Sequence, residues 1–200
     1  MTPTELKGAV AHTAGDPGYE TYPLALQINR INIAQETLAR ELRPDELLTY
    51  VDHTWAAETG VYSISDDLGI SDFLVEARVT WDGYKMRKGT IDDLDEHSTG
   101  CHEPTFYYLR GGNIGLGPRP PASEKTVRLY YIKTPTAFTT TTLPTAIDLP
   151  IETHRAIELY AAYLLTNNPQ LLMLYKDELV DLRWHNLATE DSCIILPPME

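Results

Sequence analysis

Apolar side chains recur at intervals of three and four residues near the start of the chain. The positions with this spacing are Leu24, Ile28, Ile31, Leu38 and Leu42. Such a period predicts an amphipathic helix. Pro44 is expected to end it, because proline lacks the amide proton that a helix interior requires. A shorter helix is predicted over Thr4–Ala14, followed by the turn-forming run Gly15–Gly18.

From Leu47 onward the apolar period changes to two, which is typical of strands with one buried face. The longest such strand is predicted over Phe73–Trp81. Asp82-Gly83 follows it, and this dipeptide favours the positive backbone angles of a tight turn, so an antiparallel hairpin is predicted there. Further strands are predicted over Phe106–Leu109, Asn113–Leu116 and Thr126–Ile132, the last with Val127, Leu129 and Tyr131 on one face.

The C-terminal part returns to a helical pattern. After a proline- and threonine-rich connection, Pro135–Pro150, one helix is predicted to run to about Thr166. Asn168-Pro169 supplies a cap and a proline at the first helical position, so a second helix is predicted to start there and to lie antiparallel to the first. Its apolar stripe consists of Leu171, Tyr175, Leu179 and Leu182. Beyond Trp184 no helical pattern continues, and Glu190–Pro198 is interpreted as an apolar tail that packs on its own domain or on another chain.

The order of helices, strands and helices predicts an α+β fold. We expect helices packed on a small antiparallel β-sheet, a C-terminal antiparallel helix pair and an extended C-terminal arm. In this interpretation residues 1–186 form a single domain and residues 187–200 form the arm.

The amino-acid composition narrows the class of protein. The 200 residues carry 29 Asp and Glu against 16 Lys and Arg, a formal net charge of −13 at pH 7. Because a generic phosphate-backbone binder needs a basic surface, tight nucleic-acid binding is disfavoured. The two cysteines, Cys101 and Cys193, exclude a disulfide scaffold and are expected to be free thiols in a reducing cytoplasm. The longest apolar run, Tyr160–Leu165, is too short to cross a bilayer, and no signal peptide is visible at the N-terminus.

Two segments contain residue types that carry chemistry in other proteins. Gly112-x-x-Gly115-x-Gly117 is followed by prolines instead of the helix that a phosphate-binding loop needs, so these glycines are interpreted as turn and close-approach positions. The acidic segment with His97, Cys101 and His102 matches no zinc or calcium spacing and is interpreted as a solvated helix, opened by a capping box at Thr90–Asp93, and a loop.

We therefore expect no enzymatic activity, no required metal and no cofactor. No G-x-S-x-G nucleophile elbow is present. A catalytic triad assembled from distant residues is not local in sequence, so it stays an open alternative.

Several short strand, turn and helix motifs follow one another along the chain in a recognisable order. They are the Asp82-Gly83 hairpin, the short helix at Asp92–Asp95, the strand–turn–strand of Tyr107–Pro120, the proline-ended strand Leu129–Pro135, and Asp148–Glu152, which opens the helix that contains Tyr160–Tyr163. This order resembles the head-to-tail connector, or adaptor, proteins of tailed bacteriophages. The resemblance extends from about Arg30 to Leu182 and leaves the N-terminus and the tail after Asn186 uncovered.

The resemblance implies a structural virion protein of the phage neck. Such a protein forms a homo-oligomeric ring, usually a dodecamer, beneath the portal protein of the DNA-filled head. The ring extends the DNA channel and offers a docking surface for a tail or stopper protein, and DNA passes through without sequence-specific binding. An acidic chain repeated around a pore would repel DNA phosphates, which suits this role. The implied location is the virion neck, after assembly in the host cytoplasm and with no membrane partner.

Two sets of residues are candidates for the contacts of such a ring. Members of this family often grip the portal with a C-terminal arm, so the residues predicted to bind the portal are Trp184, Cys193, Ile194, Ile195, Leu196, Pro197 and Pro198. A ring repeats one heterologous contact, so each subunit needs two different faces. The aromatic candidates for these subunit interfaces are Trp55, Trp81, Tyr84, Tyr107 and Tyr130.

Two alternative functions stay open at this point. A stopper or tail-completion protein of the neck would differ in having the tail tube as its high-affinity partner. A small soluble binding module or enzyme is disfavoured by the missing catalytic spacings.

Overall fold

Two units of different secondary structure make up the chain. In the computed structural model the described residues are 1–56, 60–90, 93, 103–118 and 124–191, and 184–191 are described by their backbone alone. Met1–Leu47 and Pro135–Glu200 form a helical unit, and Leu48–Thr134 form a β unit. Helices, then antiparallel strands, then helices follow one another along the chain, so the predicted α+β class is confirmed.

The helical unit begins with α1 (Pro3–Thr13), close to the predicted Thr4–Ala14. Thr2 caps it, because its side chain accepts a hydrogen bond from the Glu5 amide while the Glu5 carboxylate accepts one from the Thr2 amide. This reciprocal capping box satisfies amide groups that have no partner inside the helix. The Thr13 hydroxyl donates to the Glu158 carboxylate at 2.5 Å, which ties the end of α1 to a later helix of the same unit.

The connection after α1 is organised by one buried carboxylate. Asp16 accepts hydrogen bonds from the backbone amides of Tyr22, Thr21 and Glu20, at 2.7 to 3.1 Å. These bonds stabilise the ionised form, so the pKa of Asp16 lies below its ordinary value, with the Tyr22 amide as the largest cause.

The second helix, α2 (Leu24–Leu42), matches its predicted bounds. The middle of its apolar stripe is buried, with Ile31 and Leu38 fully covered, and the end positions Leu24 and Leu42 are half-buried. Arg43 adopts a left-handed conformation (φ 50°) directly before Pro44, and the helix ends there. Asn32 on α2 both accepts a hydrogen bond from the Phe138 amide (2.8 Å) and donates one to the Phe138 carbonyl (3.0 Å), which fixes the long connection against the helix.

Two further helices form the C-terminal part of the helical unit. A 3₁₀ turn over Ile151–Thr153 leads into α3 (His154–Thr166), and α4 (Pro169–Asp191) follows after two residues. Asn168 caps α4 through its side-chain oxygen, which accepts a hydrogen bond from the Gln170 amide, as its sequence position predicted. Tyr160 of α3 stacks on Tyr175 of α4, about two helical turns from the connection on each side, so the helices fold back on each other as an antiparallel pair.

The end of α4 differs from the prediction. The helix continues through Asp191, whereas the sequence pattern placed the start of a non-helical tail before it. The added turn, Leu187–Asp191, contains no glycine or proline, and both Leu and Ala favour helix. Loss of an obvious apolar stripe is therefore a poor signal for a helix end here.

The described residues of the β unit form eight strands in two four-stranded sheets. The strands are β1 (Leu48–Trp55), β2 (Val61–Ser63), β3 (Phe73–Trp81), β4 (Tyr84–Lys85), β5 (Arg87–Lys88), β6 (Phe106–Arg110), β7 (Asn113–Gly117) and β8 (Lys125–Lys133). The strand order is β1-β8-β3-β4 in the first sheet and β2-β7-β6-β5 in the second sheet. All pairs are antiparallel except β5 with β6, and the predicted hairpin at Asp82-Gly83 joins β3 to β4.

The core of the β unit lies between the two sheets. Val127, Leu129 and Tyr131, which the alternation placed on one face of β8, are all buried in it. They pack in one cluster with Ile114 and Leu116 of the second sheet. The apolar face of each sheet is thus covered by the other, as in a sandwich of two sheets.

Glycines allow close packing in the second sheet. Gly111 and Gly112 have positive φ (55° and 79°) and make the turn between β6 and β7. A Cβ atom at Gly115 would lie 2.1 Å from the Tyr108 ring, and one at Gly117 would lie 2.2 Å from the Phe106 ring. The interpretation of this motif as turn and close-approach glycines is confirmed.

The short helix predicted after Thr90 lies outside the described residues, together with His97, Cys101 and His102. Of that segment the structure describes Asp93, whose carboxylate accepts hydrogen bonds from the Thr90 amide (2.6 Å) and hydroxyl (2.9 Å). Arg87 also donates to this carboxylate, at 3.0 Å.

Candidate interaction surfaces

Strand alternation gives the first sheet an outer face that is polar and aromatic. The register aligns Tyr50 of β1 with Tyr130 of β8, and Tyr130 in turn with Arg78 of β3. A second row aligns Asp52 with Arg128 in the same way. On β4, Lys85 is the register partner of Thr80. We call these residues the Arg–Tyr face: Tyr50, Asp52, Arg78, Thr80, Lys85, Arg128 and Tyr130.

Arg128 is the best-connected side chain of the Arg–Tyr face. Its Nε and Nη2 donate to the two carboxylate oxygens of Asp52 at 2.6 and 2.8 Å, a bidentate pair. Its guanidinium carbon lies 4.4 Å from the centre of the Tyr50 ring, and its Nη1 donates to the Tyr130 hydroxyl at 3.4 Å. These contacts hold the pKa of Asp52 below its ordinary value and raise the pKa of Arg128. The centre of the face is therefore an ordered ion pair framed by two tyrosines.

Arg78 has a different environment. Its guanidinium stacks over the Tyr130 ring, 4.2 Å from the ring centre. Hydrogen bonds from Arg128, and secondarily from Arg78, lower the pKa of Tyr130. Among the described side chains no carboxylate pairs with Arg78 or with Lys85. Two cations on this face thus have no anionic partner in the described part of the chain.

A shallow cleft of about 370 Å³ runs across this part of the sheet. Its lining includes Arg78, Lys85, Thr80, Thr126 and Asp82. Lys125, beside it, donates to the Asp82 carboxylate at 2.7 Å, and this contact raises the pKa of Lys125. The lining itself carries three cations, Arg78, Lys85 and Arg128, against Asp52 and Asp82, so the cleft has net positive charge on a chain of net charge −13.

Tyr84 lies at the tip of the β3–β4 hairpin, where it is the register partner of Trp81. Asp82 and Gly83 both have positive φ (47° and 86°), as a tight two-residue turn requires. This turn leaves the Tyr84 side chain 77% exposed, the most exposed large hydrophobic side chain among the described residues.

The helical unit presents a second contact surface of its own. Tyr175, Leu179 and Leu182 of α4 are buried, as predicted. A different set of α4 residues is exposed: Met173, Leu174, Asp177, Val180 and Asp181. Their spacings of one, three and four residues place them along one side of the helix, and we call them the α4 ridge. Trp184 continues the same spacing one turn later, within the helix.

The predicted interface aromatics are divided between core and surface. Trp55, Trp81 and Tyr107 belong to the buried cluster of the β unit, because inward-facing positions of a sandwich are filled by the largest apolar side chains. The Trp81 indole also donates a hydrogen bond to Glu103. Tyr130 lies on the Arg–Tyr face and Tyr84 at the hairpin tip. The structure therefore leaves two of the five predicted aromatics accessible to a partner.

The predicted portal-binding residues lie at or beyond the end of the described chain. Trp184 is in α4 and is described by its backbone alone. Cys193, Ile194, Ile195, Leu196, Pro197 and Pro198 lie outside the described residues.

Within the described ranges no group of three or more His, Cys, Asp or Glu side chains is arranged to hold a metal ion. No helix of the described part combines the length and the apolar character that a bilayer span needs.

Comparison with known proteins assigns the family. The sequence profile of the SU10 adaptor protein family matches residues 1–191. The chain therefore belongs to the SU10 adaptor protein family, a family of phage head–tail adaptors. No curated protein matches the chain. The family match confirms the resemblance to head-to-tail connectors and extends it, since it includes α1 and all of α4 where the resemblance covered about Arg30 to Leu182.

A phage adaptor is a component of the virion that associates with other head and tail proteins. The family assignment thus supports a structural role in the phage neck, and it favours a non-enzymatic protein.

Proposed function

We propose that this protein forms a homo-oligomeric ring, a dodecamer, beneath the portal of the DNA-filled head, where it joins head to tail and extends the DNA channel. The observation that carries the proposal is the family match over residues 1–191. The two exposed surfaces support it, because a closed ring needs two different faces on each subunit and the chain offers the Arg–Tyr face and the α4 ridge.

Within this proposal residues 1–186 act as one connector domain built from the two units. Tyr84 and Tyr130 contribute to the subunit interface through their accessible rings. Trp55, Trp81 and Tyr107 act from the core by holding the strands that present these rings. DNA passes through the ring without sequence-specific contacts, and a tail or stopper protein docks on the side opposite the portal.

The C-terminal arm is proposed to grip the portal. Ile194, Ile195 and Leu196 form a short apolar run, and such a segment can dock in extended form with its side chains in pockets. Because α4 continues through Asp191, the first residues of the predicted arm, 187–191, are helical.

Purified protein mixed with its portal tests the proposal directly. Negative-stain imaging should show a ring added to one end of the portal, and sedimentation should give its stoichiometry. Attachment to the tail tube in preference to the portal would overturn this proposal in favour of a stopper or tail-completion protein.

The arm is tested by two substitutions that add the same charge. Ile195→Asp should weaken portal binding by about tenfold or more, because a buried aliphatic side chain contributes about 1.5–3 kcal/mol. Met199→Asp, outside the apolar run, is the matched control and should bind as the wild type does. Equal binding by both variants would show that another surface makes the joint.

A further inference from the structure

The Arg–Tyr face carries more cations than carboxylates among the described residues. Asp52 neutralises Arg128 and Asp82 neutralises Lys125, which leaves Arg78 and Lys85 without a carboxylate among the described side chains. Lys85 is the register partner of Thr80, two residues from Arg78, so the two cations are diagonal neighbours whose Cβ atoms lie about 7–8 Å apart. The surface is thus suited to a pair of anionic groups with that separation.

The α4 ridge carries the opposite charge. Asp177 and Asp181 are exposed, one helical turn apart, and have no ion pair among the described side chains. Residues four apart on a helix have Cβ atoms about 5–6 Å apart. With long side chains on the opposite surface, this spacing suits Arg78 and Lys85.

The apolar parts of the two surfaces also match. Met173, Leu174 and Val180 are 66%, 49% and 50% exposed beside these two aspartates. On the Arg–Tyr face, the Tyr50 ring is 55% exposed. Aromatic and methionine side chains enclosed by charged pairs are typical of protein interfaces.

We propose that the α4 ridge of one copy of this chain docks on the Arg–Tyr face of the next copy, with Asp177 and Asp181 bound to Arg78 and Lys85. The contact is heterologous, so each subunit uses both surfaces, and repetition closes a ring when the rotation allows. This inference rests on the proposed function for its ring, and it specifies which surfaces make the contact.

A second copy of this chain suits the charges of the Arg–Tyr face better than DNA does. The carboxylates of Asp52 and Asp82 flank the two unpaired cations and would repel a continuous phosphate backbone. The helical unit, by contrast, can supply separate carboxylates, because it carries more than two acidic residues for every basic one. Arg78, held flat against Tyr130, can present its N–H donors to a carboxylate in bidentate geometry.

Carbodiimide cross-linking of concentrated protein, without portal, tests the contact by itself. An equal mixture of ¹⁴N- and ¹⁵N-labelled chains should give a peptide that joins Lys85 of one label to Asp177 or Asp181 of the other. Cross-links confined to chains of a single label, or their absence at concentrations where sedimentation shows association, would overturn the proposal.

A charge exchange gives the second test. Arg78→Glu and, separately, Asp177→Lys should each weaken self-association by about tenfold or more, because each places like charges opposite each other. The variant with both changes should recover most of the loss. Arg110→Glu, an equal charge change at an exposed position of the other sheet, is the control and should associate as the wild type does.

The outcomes separate this inference from the proposed function. If Arg78→Glu forms rings on the portal as well as the wild type does, the contact is wrong and the neck function stands. If the wild type self-associates through the predicted cross-link but ignores the portal, the contact stands and the portal role fails. If Arg78→Glu loses affinity for a DNA duplex while its self-association is unchanged, the face binds phosphate and the inference is overturned.

Discussion

Replacing Trp55 with alanine should destabilise the β unit, because this predicted interface residue lies in the core. The side chain is 1% exposed and packs edge-to-face on Tyr62, with 4.5 Å between the ring centres. The Tyr62 hydroxyl is itself fixed, since it accepts a hydrogen bond from the Ala56 amide at 3.0 Å. Truncation of a buried tryptophan costs about 3–5 kcal/mol, because the lost apolar contacts are not fully replaced.

That loss is large compared with the total stability of a domain, about 5–15 kcal/mol. With a urea m-value of about 2 kcal/mol/M, a loss of 4 kcal/mol lowers the denaturation midpoint by about 2 M. Tyr84→Ala is the matched control. The Tyr84 side chain is 77% exposed, so its removal should change the free energy of unfolding by less than about 0.5 kcal/mol.

The assay is urea denaturation followed by far-UV circular dichroism, because fluorescence would lose one of its reporters. Hydrogen exchange with mass spectrometry then shows where stability is lost, and Trp55→Ala should lose protection in peptides of the β unit. A Trp55→Ala protein that is as stable as Tyr84→Ala but no longer self-associates would refute the assignment of Trp55 to the core.

Three further predictions follow from single contacts. Gly115→Ala should lower the free energy of unfolding by about 1–3 kcal/mol, since its Cβ would overlap a tyrosine ring. Gly8→Ala, in a helix with open space around it, should raise the free energy of unfolding by about 0.5–1 kcal/mol. Equal effects of the two substitutions would contradict the close approach at Gly115. Asn32→Ala removes both hydrogen bonds to the long connection and should lower the free energy of unfolding, measured by urea denaturation, by about 1–3 kcal/mol. Asn32→Asp keeps the acceptor for the Phe138 amide and loses the donor to the Phe138 carbonyl. The pKa of Asp16 is lower in the folded protein than in the unfolded chain, so its carboxylate stabilises the fold at pH values above the unfolded-state pKa of Asp16, and this effect is lost as pH falls through the native pKa. The melting temperatures of wild type and Asp16→Asn should therefore converge in acid. A difference that does not change with pH would show that ionisation of Asp16 is irrelevant.

Much of the fold was predictable because local periods and turn residues determine it. Leu24–Leu42 has a clear helical period with a proline after it, and Asp82-Gly83 defines its hairpin without reference to the rest of the chain. The end of α4 was not predictable in this way. One side of that helix packs in the helical unit and the other carries Met173, Leu174 and Val180, so apolar residues on two sides obscure the period.

The candidate surfaces were harder to predict. Tyr130 was a candidate from composition, but Arg78 and Arg128 were missed because their role depends on strand register. A strand pattern shows which residues share a face and does not show which residues on other strands lie beside them. For the same reason, nothing in the sequence distinguished the buried Trp55 from the exposed Tyr84.

The connectivity of the β unit determines where residues can be inserted or deleted. Its first strand, β1, pairs with its last, β8, and Leu48 lies opposite Ile132. The two ends of this long insertion are therefore held side by side, so the distance that the helical unit must bridge is independent of the insertion's length. Residues can be gained or lost at the turns of the β unit while the path of the helices stays the same. Adaptors built on this plan can therefore differ in the length of the β-unit turns and keep the same helical fold.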